Sequence, residues 1–251
     1  MNAWRALADE LARWRDAGRE ADFWWRDDDA ARPDPALERL LALAADARVP
    51  VALAVVPLAA ERALIERLGT EVDVLQHGTD HRNRAGAGVK KTELPATEQP
   101  RAALNRIAAA RRHLQSLGAR RVDVFVPPWN RMPEALVPRL ADAGFRGLSR
   151  YGPRSVREPA SGLKQVNAHA DIIAWRGGRG FVGEEEALGI ALRHLAARRA
   201  GTADADEPTG WLTHHACHDE AAWSFLARLL EATEAAPGVR WRGAAELFGS
   251  Q

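Results

Sequence analysis

The sequence predicts an α/β fold in which parallel strands close into a barrel with helices outside. Short apolar segments alternate with longer helical ones roughly seven times after Gly18, and such alternation indicates a parallel sheet covered by helices. The 251 residues suit one large domain, because single α/β barrels commonly have this length. No internal repeat or linker divides the chain, so we expect one domain over residues 1–251.

The predicted strands are short apolar segments bounded by glycine, proline or charged residues. Segments of this kind are typical of buried strands in parallel sheets. In chain order they are ADFWWR, PVALAVVP, VDVLQ, VDVFVPP, FRGLS, WLTHH and VRWR. The segment VNAHADIIAW also has an extended pattern, but glycines and prolines punctuate the surrounding residues 150–180.

The predicted helices are longer segments whose apolar residues recur at helical spacing. The first, within residues 1–18, has an apolar stripe that should pack on the domain or, alternatively, contact a second subunit. The others are PALERLLALAADA, LAAERALIERLG, EQPRAALNRIAAARRHLQSLG, PEALVPRLADAG, EEEALGIALRHLAARRA and DEAAWSFLARLLEAT. Residues 82–97 form a long polar loop, which in a compact domain is usually functional or mobile.

Composition excludes several classes of function. The net charge of +1 lacks the basic excess of a nucleic-acid-binding protein. No apolar segment approaches the roughly 20 residues of a membrane span, and the charged N-terminal segment does not resemble a signal peptide. Cys217 is the only cysteine, so an intrachain disulfide is impossible. We therefore expect a cytoplasmic protein; the sequence leaves its oligomeric state open.

Ionisable residues follow three of the predicted strands directly. The clusters are DDD after FWWR, HGTDH after VDVLQ, and THHACHD after WL. The carboxyl ends of parallel strands form the active-site face of such folds. We therefore expect the three clusters to converge on one site.

His77 and His81 lie four positions apart, which places both imidazoles on one side of a turn or short helix. Two imidazoles and a carboxylate form a ligand set for zinc, cobalt, nickel or manganese. The alternative is two surface histidines on a turn. The preceding strand and the aspartates elsewhere favour a metal site.

Asp27, Asp28 and Asp29 form an unbroken run of carboxylates. Adjacent carboxylates repel each other unless a cation or a shared proton relieves them. One aspartate could bind a metal ion while its neighbour accepts a proton from water. Capping of the next helix by Asp34 or Asp29 is the alternative, but it leaves the rest of the run unexplained.

Two further strand ends carry candidate residues. His214 and His215 follow a strand, where alternation allows only one of them to face the site and protonate a leaving group. Trp129 and Asn130 could form a platform for a sugar ring, although aromatic residues more often simply pack. The other tryptophans, including Trp24, Trp25, Trp175, Trp211, Trp223 and Trp241, are expected mostly in the core.

Together these motifs resemble the polysaccharide deacetylase superfamily, carbohydrate esterases of the chitin and peptidoglycan deacetylase type. That family has, in order, an Asp-Asp motif, H-S/T-x-x-H, a segment like R-x-P-x-G/Y/W, and L-x-H. Here RDDDA, HGTDH, VPPWN and LTH correspond to them, over roughly residues 20–235. The resemblance implies a distorted, incomplete (β/α) barrel of about seven parallel strands.

The resemblance also implies a division of roles and a function. Asp28 would be the catalytic base, and Asp29, His77 and His81 the metal ligands, with zinc the expected ion. His214 would be the acid. Asp27 with Asp28 is the fallback pair, and His215 is the fallback acid. The implied reaction is hydrolysis of an acetyl group from an N-acetylated or O-acetylated sugar.

Three departures from the family pattern leave other functions open. HGTDH has Gly78 where the family has serine or threonine, and VPPWN has Val126 where the family has an arginine that braces the base. Residues 145–180 hold no clear counterpart of the D-x-x-D-W motif. The alternatives are a metallohydrolase of a linear or cyclic non-sugar amide, and a catalytically weak carbohydrate-binding or regulatory protein.

Overall fold

The computed structural model describes residues 2–68, 72–120, 123–234 and 236–249. Within these ranges the named strands pair in parallel. They are β1 (Ala21–Ala30), β2 (Val51–Val55), β3 (Asp73–His77), β4 (Val124–Val126), β5 (Gly147–Leu148), β6 (Lys164–Gln165), β7 (Ala170–Asp171), β8 (Thr209–Thr213) and β9 (Val239–Trp241). The α-helices are α1 (Ala3–Asp16), α2 (Pro35–Asp46), α3 (Arg62–Leu68), α4 (Pro100–Ser116), α5 (Glu184–Ala200), α6 (Glu220–Glu234) and α7 (Ala244–Phe248).

The sheet runs in the order β6-β5-β4-β3-β2-β1-β8-β7, and β9 also pairs with β1. Its two edge strands, β6 and β7, lie in one chain segment, residues 164–171. The first half of this segment bonds to the β5 side, where Val166 N–H donates to Leu148 O (3.1 Å). The second half bonds to β8, where His169 N–H donates to Gly210 O (2.7 Å). The segment therefore curls the sheet back on itself.

The predicted distorted, incomplete barrel is confirmed. The described residues hold nine strands where about seven were predicted. The extra strands come from the segment 164–171, which divides into β6 and β7, each only two residues long. Glycines and prolines around it limit the length of regular pairing.

Strand β1 places apolar side chains on both of its faces, because successive residues of a strand point to opposite sides. Phe23 and Trp25 belong to the large cluster that packs the helices onto the sheet. Trp24 belongs to a smaller cluster with β2, β3 and β4 inside the curled sheet. The same alternation continues into the aspartate run and positions the site.

Helix α2 begins at a capping residue. Asp34 is the N-cap of α2, where its Oδ1 accepts the backbone N–H of Leu37 (2.8 Å), and Pro35 follows at the first helical position. Helix α1 lies against α5, and Arg199 on α5 pairs with Glu10 on α1 (2.7 Å). In the described part of the chain no helix is long and apolar enough to cross a bilayer.

Two predictions of local structure are wrong. The segment PEALVPRLADAG is two 3₁₀ helices, Glu134–Arg139 and Ala141–Ala143, instead of one α-helix. Pro138 lies inside the first, where it can donate no backbone hydrogen bond. Trp175 is also not in the core, because 45% of its surface is exposed.

Candidate active site

Asp29, His77 and His81 meet beyond the carboxyl ends of β1 and β3. The Nε2 atoms of His77 and His81 lie 3.1 and 3.2 Å from Oδ1 of Asp29. One ligand atom from each residue lies within 4.8 Å of the other two. His77 is buried, whereas Asp29 and His81 are half-buried. The group therefore has both a closed side and an open side, as a catalytic site requires.

A break in the strand lets Asp29 reach this group. The pairing of β1 with β2 shifts register between Asp27 and Ala30, and Asp29 has a φ of +71°, a left-handed conformation that non-glycine residues rarely adopt. Without this bulge, adjacent aspartates would point to opposite faces of the strand. The bulge therefore allows Asp28 and Asp29 to serve one site.

The orientation of His77 suits a metal ion. Its Nδ1 lies 3.1 Å from the carbonyl oxygen of Val126. A carbonyl can only accept, so Nδ1 carries the proton and Nε2 presents a lone pair toward Asp29. Oδ1 of Asp29 is buried and has no hydrogen-bond partner. Two lone pairs facing each other repel unless a cation lies between them, so these residues fit a divalent ion.

The pKa shifts of the three residues reflect a balance between burial and neighbouring charge. Burial alone would raise the pKa of Asp29, but the adjacent imidazoles, His77 above all, hold this pKa well below its usual range. Burial acts to lower the pKa of His77, yet the adjacent carboxylates of Asp28 and Asp29 raise it. For His81, burial dominates and lowers the pKa. An ionised carboxylate beside two imidazoles is the result.

Arg26 holds the predicted base, Asp28, in a buried two-point contact. Its Nε and Nη2 donate to Oδ1 and Oδ2 of Asp28 at 2.8 and 3.0 Å, and both side chains are at most 2% exposed. Ser149 Oγ and Asn130 Oδ1 accept further bonds from the same guanidinium (2.6 and 2.8 Å). An arginine from β1 therefore braces the predicted base, although Val126 stands where the family motif has its arginine.

The fallback residues Asp27 and His215 bind each other. Oδ1 of Asp27 lies 2.5 Å from Nδ1 of His215, and Oδ2 accepts from Thr213 Oγ1 (2.6 Å) and the His215 N–H (2.9 Å). These three contacts join β1 to the end of β8. The geometry therefore favours Asp28 and Asp29 over Asp27 and Asp28.

His214, the predicted acid, lies beside two residues that sequence reasoning missed. Its Nδ1 is 4.0 Å from Oδ1 of Asp171, and its ring packs edge-on against Trp175 with 4.6 Å between centroids. Trp175 Nε1 donates to the other carboxylate oxygen of Asp171 (2.7 Å). Burial raises the pKa of Asp171. An aspartate four residues before a tryptophan, at the end of a segment with an extended pattern, was the available signal.

Trp129 and Asn130 both lie at the site but point to different neighbours. Each has a left-handed φ, 54° and 55°. The ring of Trp129 packs on that of His81 with 4.4 Å between centroids, so it lines one side of the group formed by Asp29, His77 and His81. The side-chain oxygen of Asn130 is bonded to Arg26. Substrate binding by these two residues stays a prediction.

A second cluster, His169, His194 and Glu207, also brings possible ligand atoms together. All three side chains are buried. The backbone N–H of Gly210 donates to Nδ1 of His169 (2.9 Å), so Nε2 of this neutral imidazole carries its proton and faces Glu207 (3.4 Å). A protonated Nε2 has no lone pair for a metal ion. The Asp29 group is therefore the better metal site.

Comparison with known proteins gives matches at the level of structure alone. No protein-family model and no curated protein sequence matches the chain. A polysaccharide deacetylase described as putative, from Mycobacterium smegmatis, aligns with a TM-score of 0.57 at 17% identity, over 91% of this chain and 89% of that one. A family 4 acetyl xylan esterase from Clostridium thermocellum, solved with a cobalt ion, aligns at 0.52 and 15% identity, over 90% of each chain.

A third structure, Puue allantoinase, aligns with a TM-score of 0.63 at 14% identity, over 92% of this chain and 90% of that one. These alignments cover nearly the whole of each chain, and the resemblance predicted from the motifs is confirmed in the fold. The chain has the fold that these deacetylase, esterase and allantoinase structures share.

Proposed function

We propose that this protein is a metal-dependent hydrolase that removes an acetyl group from an N-acetylated or O-acetylated sugar. One observation carries the proposal: a carboxylate and two imidazoles face each other at Asp29, His77 and His81, beside a braced second carboxylate. Such a ligand set with an open side is typical of catalytic metal sites.

Asp29, His77 and His81 would hold the ion, with zinc the expected metal and cobalt, nickel or manganese also suited to these donors. The cobalt ion in the Clostridium thermocellum esterase supports a divalent metal on this fold. A bound divalent ion would polarise a carbonyl and lower the pKa of a bound water to about 7. The remaining steps belong to the side chains around it.

Asp28 would accept the proton of the attacking water. Arg26 fixes its carboxylate from one side, so the carboxylate cannot turn away from the site. The water oxygen adds to the acetyl carbon, and the bond from that carbon to the sugar nitrogen or oxygen breaks. His214 would give its proton to the leaving atom, with Asp171 and Trp175 keeping its ring in place.

Aromatic side chains support a ring-shaped substrate. Trp129 lines one side of the metal group and Trp175, 45% exposed, lies at His214. Flat aromatic faces pack well against sugar rings. The allantoinase among the structural neighbours keeps a non-sugar amide as the second candidate. The third candidate, a catalytically weak carbohydrate-binding or regulatory protein, loses its main support, because Arg26 contacts Asp28 in place of the missing arginine.

The test is metal analysis combined with activity on a substrate panel. Purified protein should contain a divalent metal, and a chelator should abolish hydrolysis. The panel includes soluble acetylated sugars, nucleotide sugars, acetylated polymers, a generic acetyl ester, and linear and cyclic amides. Hydrolysis confined to the amides would replace the sugar proposal with the second candidate.

Two variants separate the roles of the site residues. Asp28→Asn should abolish turnover while the metal stays bound, and His77→Ala should lose both. Asp142→Asn, on the outer segment 141–143, is the control and should behave as wild type. Wild-type turnover in Asp28→Asn would contradict the role of Asp28 as the base.

A further inference from the structure

Glu93 is a fully buried carboxylate in an otherwise exposed loop. Most of residues 82–92 are exposed or half-exposed, whereas Glu93 has 0% exposure. A charged group is costly to bury unless it is paired and hydrogen-bonded. The partners of Glu93 therefore indicate why the chain places it there.

Those partners belong to the segment HGTDH, which carries both predicted histidine ligands. The Glu93 carboxylate accepts the backbone N–H groups of Thr79 and His81, each at 2.9 Å, and the hydroxyl of Thr79 at 2.5 Å. Arg106 on α4 donates to the same carboxylate at 3.1 Å. Backbone N–H groups converging in this way form a pocket for an anion, and the anion here is a side chain of the protein itself.

The backbone of this segment needs such an anchor. His81 has a φ of +54°, which is unfavourable for a histidine, and Gly78 has a φ of +59°. His77 is held separately by β3 and by the carbonyl of Val126. The direction of the His81 side chain depends instead on the conformation that Glu93 stabilises.

Gly78 makes room for this carboxylate. A Cβ at position 78 would lie 2.4 Å from Oε2 of Glu93 and 2.4 Å from Cγ of Pro128. Only glycine therefore lets Glu93 and Pro128 approach this backbone. The glycine that departs from the family motif is thereby coupled to a carboxylate 15 residues later in the chain.

We propose that Glu93 is a positioning residue for the metal ligand His81. Its carboxylate fixes the Thr79 and His81 N–H groups and so aims the His81 imidazole at Asp29. This inference rests on the metal site of the proposed function, but it concerns metal binding and not the substrate.

The experiment compares the zinc affinity of variants by competition with a chromophoric chelator. Glu93→Gln should bind zinc about 10- to 100-fold more weakly than wild type, the range typical of residues that orient metal ligands. Glu98→Gln is the matched control, because Glu98 also pairs with Arg106 (2.6 Å); it should keep wild-type affinity. Equal zinc affinity in wild type and Glu93→Gln would overturn the proposal.

A double-mutant cycle distinguishes positioning from a general structural role. In a His81→Ala background, Glu93→Gln should weaken zinc binding no further, since the ligand through which it acts is absent. An undiminished effect there would overturn the proposal. If Glu93→Gln does not fold, Glu93→Asp replaces it, which keeps the charge but is too short to reach both N–H groups. Wild-type zinc affinity in Glu93→Asp would equally overturn the proposal.

The outcomes also separate this inference from the proposed function. Protein that binds zinc in a Glu93-dependent way but hydrolyses no acetylated substrate supports the positioning role and contradicts the deacetylase. Protein that hydrolyses an acetylated sugar, and whose zinc affinity does not depend on Glu93, supports the deacetylase and contradicts the positioning role. A wild-type protein without affinity for zinc, cobalt, nickel or manganese contradicts both.

Discussion

The guanidinium of Arg26 holds the carboxylate of Asp28 by two parallel hydrogen bonds, at 2.8 and 3.0 Å, in a buried position. The two residues are neighbours on one face of β1, separated by Asp27 on the other face. Two parallel hydrogen bonds between an arginine and a carboxylate fix the orientation of both side chains. Removing one partner leaves the other charge buried and uncompensated.

Arg26→Met should therefore lower the free energy of unfolding by about 3 to 5 kcal/mol, as measured by urea denaturation. Arg26→Lys keeps the charge but not the two-point contact, so it should fold and still lose about 10-fold or more in kcat. Arg5→Met, in an exposed pair with Asp9, serves as the control and should leave both quantities unchanged. Wild-type kcat in Arg26→Lys would show that the brace is unnecessary.

The alternation of β1 could have predicted this pair from sequence. Arg26 and Asp28 are two residues apart and share a face, whereas Asp27 faces Thr213 and His215. The metal group was predictable because His77 and His81 lie close together after one strand. The bulge at Asp29 was not, because its φ of +71° follows from packing between strands distant in sequence.

Asp171 and Trp175 escaped prediction for a related reason. Asp171 ends the two-residue strand β7, and Trp175 follows four residues later. The extended pattern of VNAHADIIAW gave no sign of a site, and only tertiary packing brings the two residues to His214, more than 35 residues later in the chain. Glu93 lay within the predicted polar loop, where its composition gave no sign of burial. Local patterns thus predicted that His77 and His81 lie close together. The residues packed around this pair depend on long-range contacts that the local patterns do not show.

Asp171→Asn should lower kcat by about 10- to 100-fold with little change in KM, because the carboxylate orients the proposed acid without reaching the substrate. Since burial raises the pKa of Asp171, wild-type activity should fall on acidification at a pH above the usual aspartate range. That decline should disappear in the variant. The measurement is kcat against pH.

Trp175→Phe is the companion variant, since it keeps the ring against His214 and removes only the N–H donated to Asp171. We expect a smaller loss of kcat than in Asp171→Asn. Asp142→Asn again provides a control for a change of charge outside the site. A pH profile of Asp171→Asn identical to wild type would contradict the role of this carboxylate.

Substitutions of the adjacent residues His214 and His215 should have opposite effects on activity and stability. His215→Gln removes the partner of buried Asp27, so it should lower the free energy of unfolding by about 3 to 5 kcal/mol while folded molecules keep their activity. His214→Gln should lose activity and change stability little. Parallel urea denaturation and kcat measurements test the contrast. The reverse assignment would follow if His215→Gln were stable and inactive.

The same pair has a defined dependence on pH. Burial acts to raise the pKa of Asp27, but the charge of His215 and its hydrogen bond lower it. Burial acts to lower the pKa of His215, but Asp27 raises it. The pair therefore stabilises the fold at pH values between the pKa of Asp27 and the pKa of His215. This contribution is lost as the pH falls through the pKa of Asp27 or rises through that of His215.

The buried pair His169 and His194 should make the fold sensitive to mild acid. Their rings stack with 3.5 Å between centroids. Burial and the charge of Arg198 lower the pKa of His169 to about 3, and burial and the charge of His169 lower that of His194 to about 2. In the unfolded chain both would bind a proton near pH 6.5.

Between about pH 6.5 and pH 3 these two histidines therefore hold more protons in the unfolded chain than in the folded one, so their contribution to stability falls as the pH is lowered. Each histidine contributes up to about 1.4 kcal/mol per pH unit. Glu207 acts in the opposite sense at lower pH, because burial raises its pKa above the unfolded value, and the folded protein then gains a proton first.

Urea denaturation at intervals from pH 7 to pH 5 measures this slope above the range in which most carboxylates titrate. His194→Gln should lower the slope by the share of one histidine, whatever its effect on stability at pH 7. His113→Gln, on half-buried α4 surface, is the control and should keep the wild-type slope. An unchanged dependence of the unfolding free energy on pH in His194→Gln would mean that His194 accepts its proton in the folded protein. The buried cluster would then tolerate a positive charge that the nearby Arg154 and Arg198 should oppose.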